Sequence, residues 1–148
     1  MDPRTTVRAY YDALRAGDPL GPYFASEDET APGPASRTGP TSEHESDDNG
    51  DDPFVKFGIS ERLVGSEEIR SGLRAQTETT TDWDVESHAL RVCERDRCAW
   101  FSDEVTMAWT TRGSGRRREF ETRWSGTLAR SADRWRFVGM HVSTADDL

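Results

Sequence analysis

Val7, Tyr10, Tyr11 and Leu14 fall near i, i+3, i+4 and i+7, so they share one stripe of a helix over residues 5–16, and Gly17 stands just past its end. Asp18-Pro19-Leu20 then predicts a short second helix or turn reaching Tyr23 and Phe24. The period changes over residues 54–61, where Val55, Phe57 and Ile59 alternate with Lys56, Gly58 and Ser60; that is a strand. Gly65-Ser66-Glu67-Glu68 opens another helix, with Ser66 as its expected N-cap, two glutamates at the positive end of the dipole, and Ile69, Leu73 and Gln76 on one face. Residues 79–82 break it. The remainder reads as four long strands, 83–93, 98–111, 118–130 and 135–143, joined by short polar turns into an antiparallel meander. Helices first, then a strand and a helix, then a meander predict an α+β fold: a curved antiparallel sheet wrapped around the N-terminal helices, cone-shaped with a central cavity.

Between residues 26 and 53 the pattern disappears. Glycine, proline, serine, threonine and nine carboxylates fill the segment, with Arg37 as its only base and almost nothing apolar. Such a composition cannot bury enough surface to offset its ordering entropy, so the expectation is one domain over residues 1–148 carrying an acidic flexible insertion at 26–53. At 148 residues the chain supports one core. A mean hydropathy of -0.84 and apolar runs far below the roughly 20 residues of a spanning helix argue against a membrane protein, and the first residues lead into a helix without an apolar signal core, so a cytoplasmic location is expected.

The net charge of -9 changes the picture of the surroundings. The bases are 18 arginines and a single lysine, Lys56. An acidic, lysine-poor, arginine-rich chain suits the salty cytoplasm of a halophilic archaeon, where counterions screen carboxylate repulsion; a GC-rich genome with one acidic loop is the competing explanation. A negative surface argues against nucleic acid as a partner.

Several short patterns together resemble one family. They are Tyr10-Tyr11 in the first helix, Gly65-x-x-x-Ile69, Ala99-Trp100, Arg123-x-Ser125-Gly126-x-Leu128, and the closing Trp135-x-x-Val138-x-Met140-His141-Val142-Ser143. Their order and spacing resemble the SnoaL-like, ketosteroid-isomerase-like branch of the nuclear transport factor 2 superfamily, which has a cystatin-like cone fold. The resemblance implies a small-molecule cavity and, by analogy of fold, an isomerase, cyclase or dehydratase acting on an apolar carbonyl compound; the superfamily's noncatalytic dimerisation and adaptor modules are the alternative. One departure limits the analogy. Counting back from Gly65, Lys56 stands where the isomerases carry their aspartate base, so isomerase chemistry does not carry over. Glu61 matches a glutamate often seen in the SnoaL-like branch.

On the last strand, strict alternation puts Trp135, Phe137, Gly139, His141 and Ser143 on one face, and the resemblance turns that face into the cone. Arg123 on the preceding strand then converges with His141 and Ser143, a cation fork and a proton-exchanging ring suited to a carboxylate-bearing or apolar ligand. The alternative is a self-satisfied buried cluster, with Arg123 paired to Glu61 or Asp103. The candidate catalytic residues are thus His141 and Glu61, and the candidate ligand-binding residues Tyr11, Trp100, Arg123, His141 and Ser143. The five tryptophans serve as an aromatic cavity wall or as plain core. With only His44, His88 and His141, scattered, no metal is expected, and no other cofactor; Cys93 and Cys98 are expected as free thiols. Val138, Met140 and Val142, on the other face of the last strand, would form an outer apolar stripe, which predicts a homodimer.

Overall fold

The computed structural model describes residues 2–26 and 52–148. The acidic insertion read over 26–53 therefore lies, apart from its ends, outside the described residues.

Helix α1 (Pro3–Ala16) begins where Asp2 accepts the backbone N–H of Thr5 at 2.8 Å, with Pro3 at the first helical position, and ends at Gly17 in the left-handed region (φ 75°). Its buried face is the expected stripe of Val7, Tyr10, Tyr11 and Leu14, extended by Pro3, Thr6 and Ala13. A single 3-10 turn over Gly21–Tyr23 follows, the shorter of the two forms expected there. The strand expected over 54–61 is instead a hairpin: β1 (Val55–Gly58) and β2 (Glu61–Val64) pair antiparallel, with Gly58 opposite Glu61 across an Ile59-Ser60 turn. Ser60 takes φ 60° there, and a turn without Gly, Asn or Pro leaves no mark in the sequence.

Helix α2 (Ser66–Thr79) is capped from a distance. Gly65 (φ 94°) holds the N-cap position and supplies no side chain; the Asp52 carboxylate accepts both the N–H and the hydroxyl of Ser66, at 2.9 and 3.1 Å. Ser66 is thus the first residue of the helix rather than its cap, as the sequence had suggested. The helix runs directly into β3 (Thr80–Ser87), and β4 (Arg91–Glu94), β5 (Cys98–Thr111), β6 (Arg117–Ser131) and β7 (Arg134–Thr144) follow. The long strand expected over 83–93 is two strands lying end to end along the same edge of β5.

The sheet order is β2-β1-β7-β6-β5-β3, with β4 also on β5; every pair is antiparallel except β1 and β7, which run parallel. Both helices lie on the concave side, over a core built on Phe24, Leu128 and Phe137. The molecule is an α+β fold with a curved, open sheet. No helix among the described residues is long and apolar enough to cross a membrane, and Cys93 and Cys98 are free thiols.

One irregularity overturns a sequence expectation. Leu128 pairs with Phe137 and Thr127 pairs with Gly139, so Val138 is an extra residue in β7, a β-bulge. A one-residue bulge reverses which face every later side chain occupies. Trp135 and Phe137 point into the core as expected, but beyond the bulge it is Met140 and Val142 that are buried, while His141 and Ser143 point outward. The outer stripe of Val138, Met140 and Val142 therefore does not exist. Gly126 makes the bulge possible, because a Cβ at that position would stand 2.5 Å from the Gly139 carbonyl oxygen and 2.8 Å from the Phe101 ring.

Candidate functional site

The open side of the cone holds a cavity of about 380 Å³, within the range of small-molecule sites. Its floor is the β1–β2 hairpin. Lys56 and Gly58 share the inward face of β1, and Lys56, only 5% exposed, places Nζ 2.5 Å from Glu61 Oε1. Gly58 leaves the space that the carboxylate occupies, since a Cβ there would lie 2.6 Å from Glu61 Oε1. The hairpin thus folds an ammonium and a carboxylate onto each other in a mostly apolar chamber.

Tyr10 of α1 reaches the same chamber. Its ring is held edge-on by Phe24, Phe137 and Trp124, and no hydrogen bond to its hydroxyl is found among the described residues. Burial, and after it the negative charge of Glu61, push the Tyr10 hydroxyl far above the ordinary tyrosine range, so it stays a protonated donor at any physiological pH. Gln76 and Thr79 of α2 and Thr80 at the start of β3 add polar groups to the rim.

The walls are aromatic, for a reason that lies in a second bulge. Thr81 pairs with Thr110 and Asp84 with Ala108, leaving two β3 residues, Asp82 and Trp83, opposite Trp109 alone. Asp82 takes φ 54° there. The distortion lays Trp83 flat against Trp109, ring centroids 4.9 Å apart and planes 22° from parallel, and the Trp83 indole N–H donates to the Thr80 hydroxyl at 2.8 Å. Trp124, Met107, Leu14, Ile59 and Val142 complete the lining.

The residues nominated from sequence divide among three places. Glu61 is in the cavity. Tyr11 is not: its hydroxyl donates to Asp103 Oδ2 at 2.8 Å, and Asp103 also accepts from the Ser87 hydroxyl and the Ala89 N–H. That buried cluster clips α1 to the sheet, and it raises the Tyr11 hydroxyl through burial first and then through its bond to Asp103. Arg123, His141 and Ser143 do come together, but on the outer face of the sheet, in a groove of about 280 Å³ shared with Arg91, Glu104 and Ser125. The Val138 bulge turns His141 and Ser143 outward, while Arg123 is outward on an unbroken β6 whose inward face carries Phe120, Thr122, Trp124 and Leu128. Arg123 therefore reaches neither Glu61, which holds Lys56, nor Asp103, which holds Tyr11. His141 stands across from Ser125 and edge-on to the Phe57 ring at 6.2 Å. Trp100 also faces outward, 47% exposed, with the Arg95 guanidinium 5.4 Å from its ring centre.

Sequence reasoning passed over Tyr10 and Lys56 as site residues and left Trp83 and Trp109 between cavity wall and plain core. For Lys56 a signal existed, a lone lysine among 18 arginines standing where the isomerases carry their base, although the alternation of the strand set it opposite the apolar face that Val55, Phe57 and Ile59 form. For Tyr10 against Tyr11 there was none, since both lie on the buried stripe and only the packing of α1 decides which one meets the chamber. Among the described residues no cluster of three or more His, Cys, Asp or Glu is arranged to hold a metal ion.

Comparison with known proteins places this architecture. The SnoaL-like domain family matches residues 50–147. No curated protein matches the chain. Among solved structures it is similar to a candidate dehydratase of the NTF2-like family from Streptomyces avermitilis, with a TM-score of 0.75 at 14% identity over 97% of this chain and 94% of that one. It is similar also to a ketosteroid isomerase-like protein from Erwinia carotovora atroseptica (TM-score 0.67, 15% identity, 97% and 94% covered). A third is a nuclear transport factor 2 (NTF2-like) superfamily protein from Salmonella enterica serovar Typhimurium (TM-score 0.68, 14% identity, 97% and 88% covered). At such identities the likeness is one of fold, and the chemistry has to be read from the cavity itself.

Proposed function

The chain belongs to the SnoaL-like domain family, and from that premise we propose that its cavity binds a small, largely apolar carbonyl compound and moves a proton on it, as an isomerase, cyclase or dehydratase does. The observation that carries this reading is the Lys56–Glu61 pair at the end of a chamber walled by Trp83, Trp109 and Trp124. Glu61 takes or gives the proton; Lys56 and the Tyr10 hydroxyl supply donors for the oxygen that becomes negative when a carbonyl enolises. A noncatalytic dimerisation or adaptor module has no use for an ion pair inside an apolar chamber, where taking two charges out of water is costly.

The test uses 1-tetralone, a bicyclic aromatic ketone, at high potassium chloride. Tryptophan emission reports binding, and loss of the α-proton signal in heavy water by NMR reports proton transfer. The expected result is saturable quenching with exchange faster than in buffer, and Glu61→Gln that still binds but exchanges about 10²-fold or more slowly. A family of such ketones that neither quenches the tryptophans nor exchanges ends this reading and favours the adaptor.

We place the nominated outer-face residues, Trp100, Arg123, His141 and Ser143, at a contact with a second copy of the chain. That face carries both signs, Arg91 and Arg123 with Glu104 and Glu121, so two copies related by a two-fold axis can oppose unlike charges around Trp100. We further propose a single domain carrying the acidic stretch 26–53 and working in the cytoplasm of a salt-loving organism; the arginine-rich, acidic composition supports that setting.

A further inference from the structure

The chain contains 18 arginines and one lysine, and that lysine is the buried Lys56 of the cavity. If the site needed only a positive charge opposite Glu61, arginine, used at every other basic position, supplies one and adds a planar fork suited to carboxylates. What arginine lacks is a nitrogen that can give up its proton and act as a nucleophile. Lys56 has that nitrogen in the setting such chemistry requires: inside an apolar chamber, with Glu61 Oε1 at 2.5 Å as proton acceptor.

Resting on the reading that the cavity takes a carbonyl compound, we propose that Lys56 is a Schiff-base lysine, forming a covalent imine with an aromatic or otherwise apolar aldehyde or ketone. The Lys56 ammonium passes a proton to Glu61 as the ligand displaces water, and the free amine adds its electron pair to the carbonyl carbon. Glu61 returns the proton to the resulting alkoxide, giving a neutral hydroxyl on carbon. It then takes a proton from the nitrogen and delivers it to that hydroxyl as the carbon–oxygen bond breaks. One water leaves, a protonated carbon–nitrogen double bond remains on Lys56, and Glu61 is again a carboxylate. No oxidant or reductant is consumed. The positive imine withdraws electrons from the neighbouring carbon more strongly than the parent carbonyl, so Glu61 can remove the adjacent proton to give an enamine, from which a double bond shifts or a β-hydroxyl departs as water.

The single lysine makes the experiment clean, because the only other primary amine of the chain is its α-amine. The folded protein is incubated with 2-naphthaldehyde and sodium cyanoborohydride at high salt, and the reduced adduct is located by peptide mass mapping; tryptophan quenching by the same aldehyde, without reductant, measures binding separately. The expected result is an adduct at Lys56 forming at least about tenfold faster than at the α-amine of the same molecules, a preference that vanishes in the urea-unfolded chain and slows about 10²-fold in Glu61→Gln. In Lys56→Arg the charge remains but α-proton exchange of 1-tetralone is lost. Quenching with no preferential adduct at Lys56, or exchange retained in a folded Lys56→Arg, overturns the imine and leaves the proton-transfer function standing. Absence of quenching sinks both.

Discussion

Gly58 lies directly beneath the carboxylate of Glu61, with no room between them: a Cβ on Gly58 would stand 2.6 Å from Glu61 Oε1. The backbone at Gly58 does not occupy the left-handed region, so alanine there is compatible with the strand, and its cost falls on the carboxylate it displaces. Gly58→Ala is expected to keep the fold, to weaken the Lys56–Glu61 contact and to lower α-proton exchange of 1-tetralone by about tenfold or more, because a displacement near 1 Å is costly in a positioned acid–base group. Circular dichroism together with the exchange rate checks it; unchanged exchange would show that Glu61 is not the proton carrier.

The ion pair itself yields a prediction about stability. Removing Glu61 leaves the Lys56 ammonium, its side chain 6% exposed, buried without compensation, so Glu61→Leu is expected to destabilise the fold by about 3–5 kcal/mol, while Glu61→Leu combined with Lys56→Met recovers most of that loss. Urea unfolding of both variants at one salt concentration measures the difference. A double variant as unstable as the single one contradicts the assignment.

Alkaline pH provides a separate test of α1. The Tyr10 and Tyr11 hydroxyls are both raised above their ordinary value of 10.0 by burial, so the folded state holds these protons more tightly than the unfolded chain does. Below pH 10 both states are protonated and the full stability is present. Above it the unfolded chain ionises first, and stability falls by about 1.4 kcal/mol per pH unit for each tyrosine. Urea midpoints between pH 9 and 11 are expected to drop accordingly, with a shallower slope in Tyr11→Phe, which at neutral pH also loses the bond to Asp103 at a cost of about 1 kcal/mol. A midpoint flat through this range would mean that one or both hydroxyls reach solvent.

At the outer face, Trp100 is the exposed aromatic on which a second copy would close. Trp100→Glu is expected to halve the mass seen by light scattering at high salt and to leave cavity binding unchanged, since Trp100 lies across the sheet from Lys56. A wild-type mass near that of one 16.7 kDa chain over a wide concentration range removes the dimer.

The sequence by itself determined the elements that obey a local period. The stripe of α1, the glycine that stops it, the bounds of β5 at Cys98–Thr111 and the α+β order all follow from side-chain spacing and turn chemistry, which act within a few residues. Glu61 was reached only through resemblance, and Lys56 was visible as an anomaly without a role. The tertiary structure decided which face is which. Val138 and the Asp82-Trp83 pair are single-residue offsets between strands that meet only after the chain has folded back on itself, and each redirects the side chains beyond it. His141 and Ser143 left the cavity for that reason, and Trp83 entered it. The parallel pairing of β1 with β7, residues more than eighty positions apart, likewise set the Lys56–Glu61 hairpin against the cavity, because register between distant strands is fixed by the packing of the whole core and leaves no trace in either strand alone.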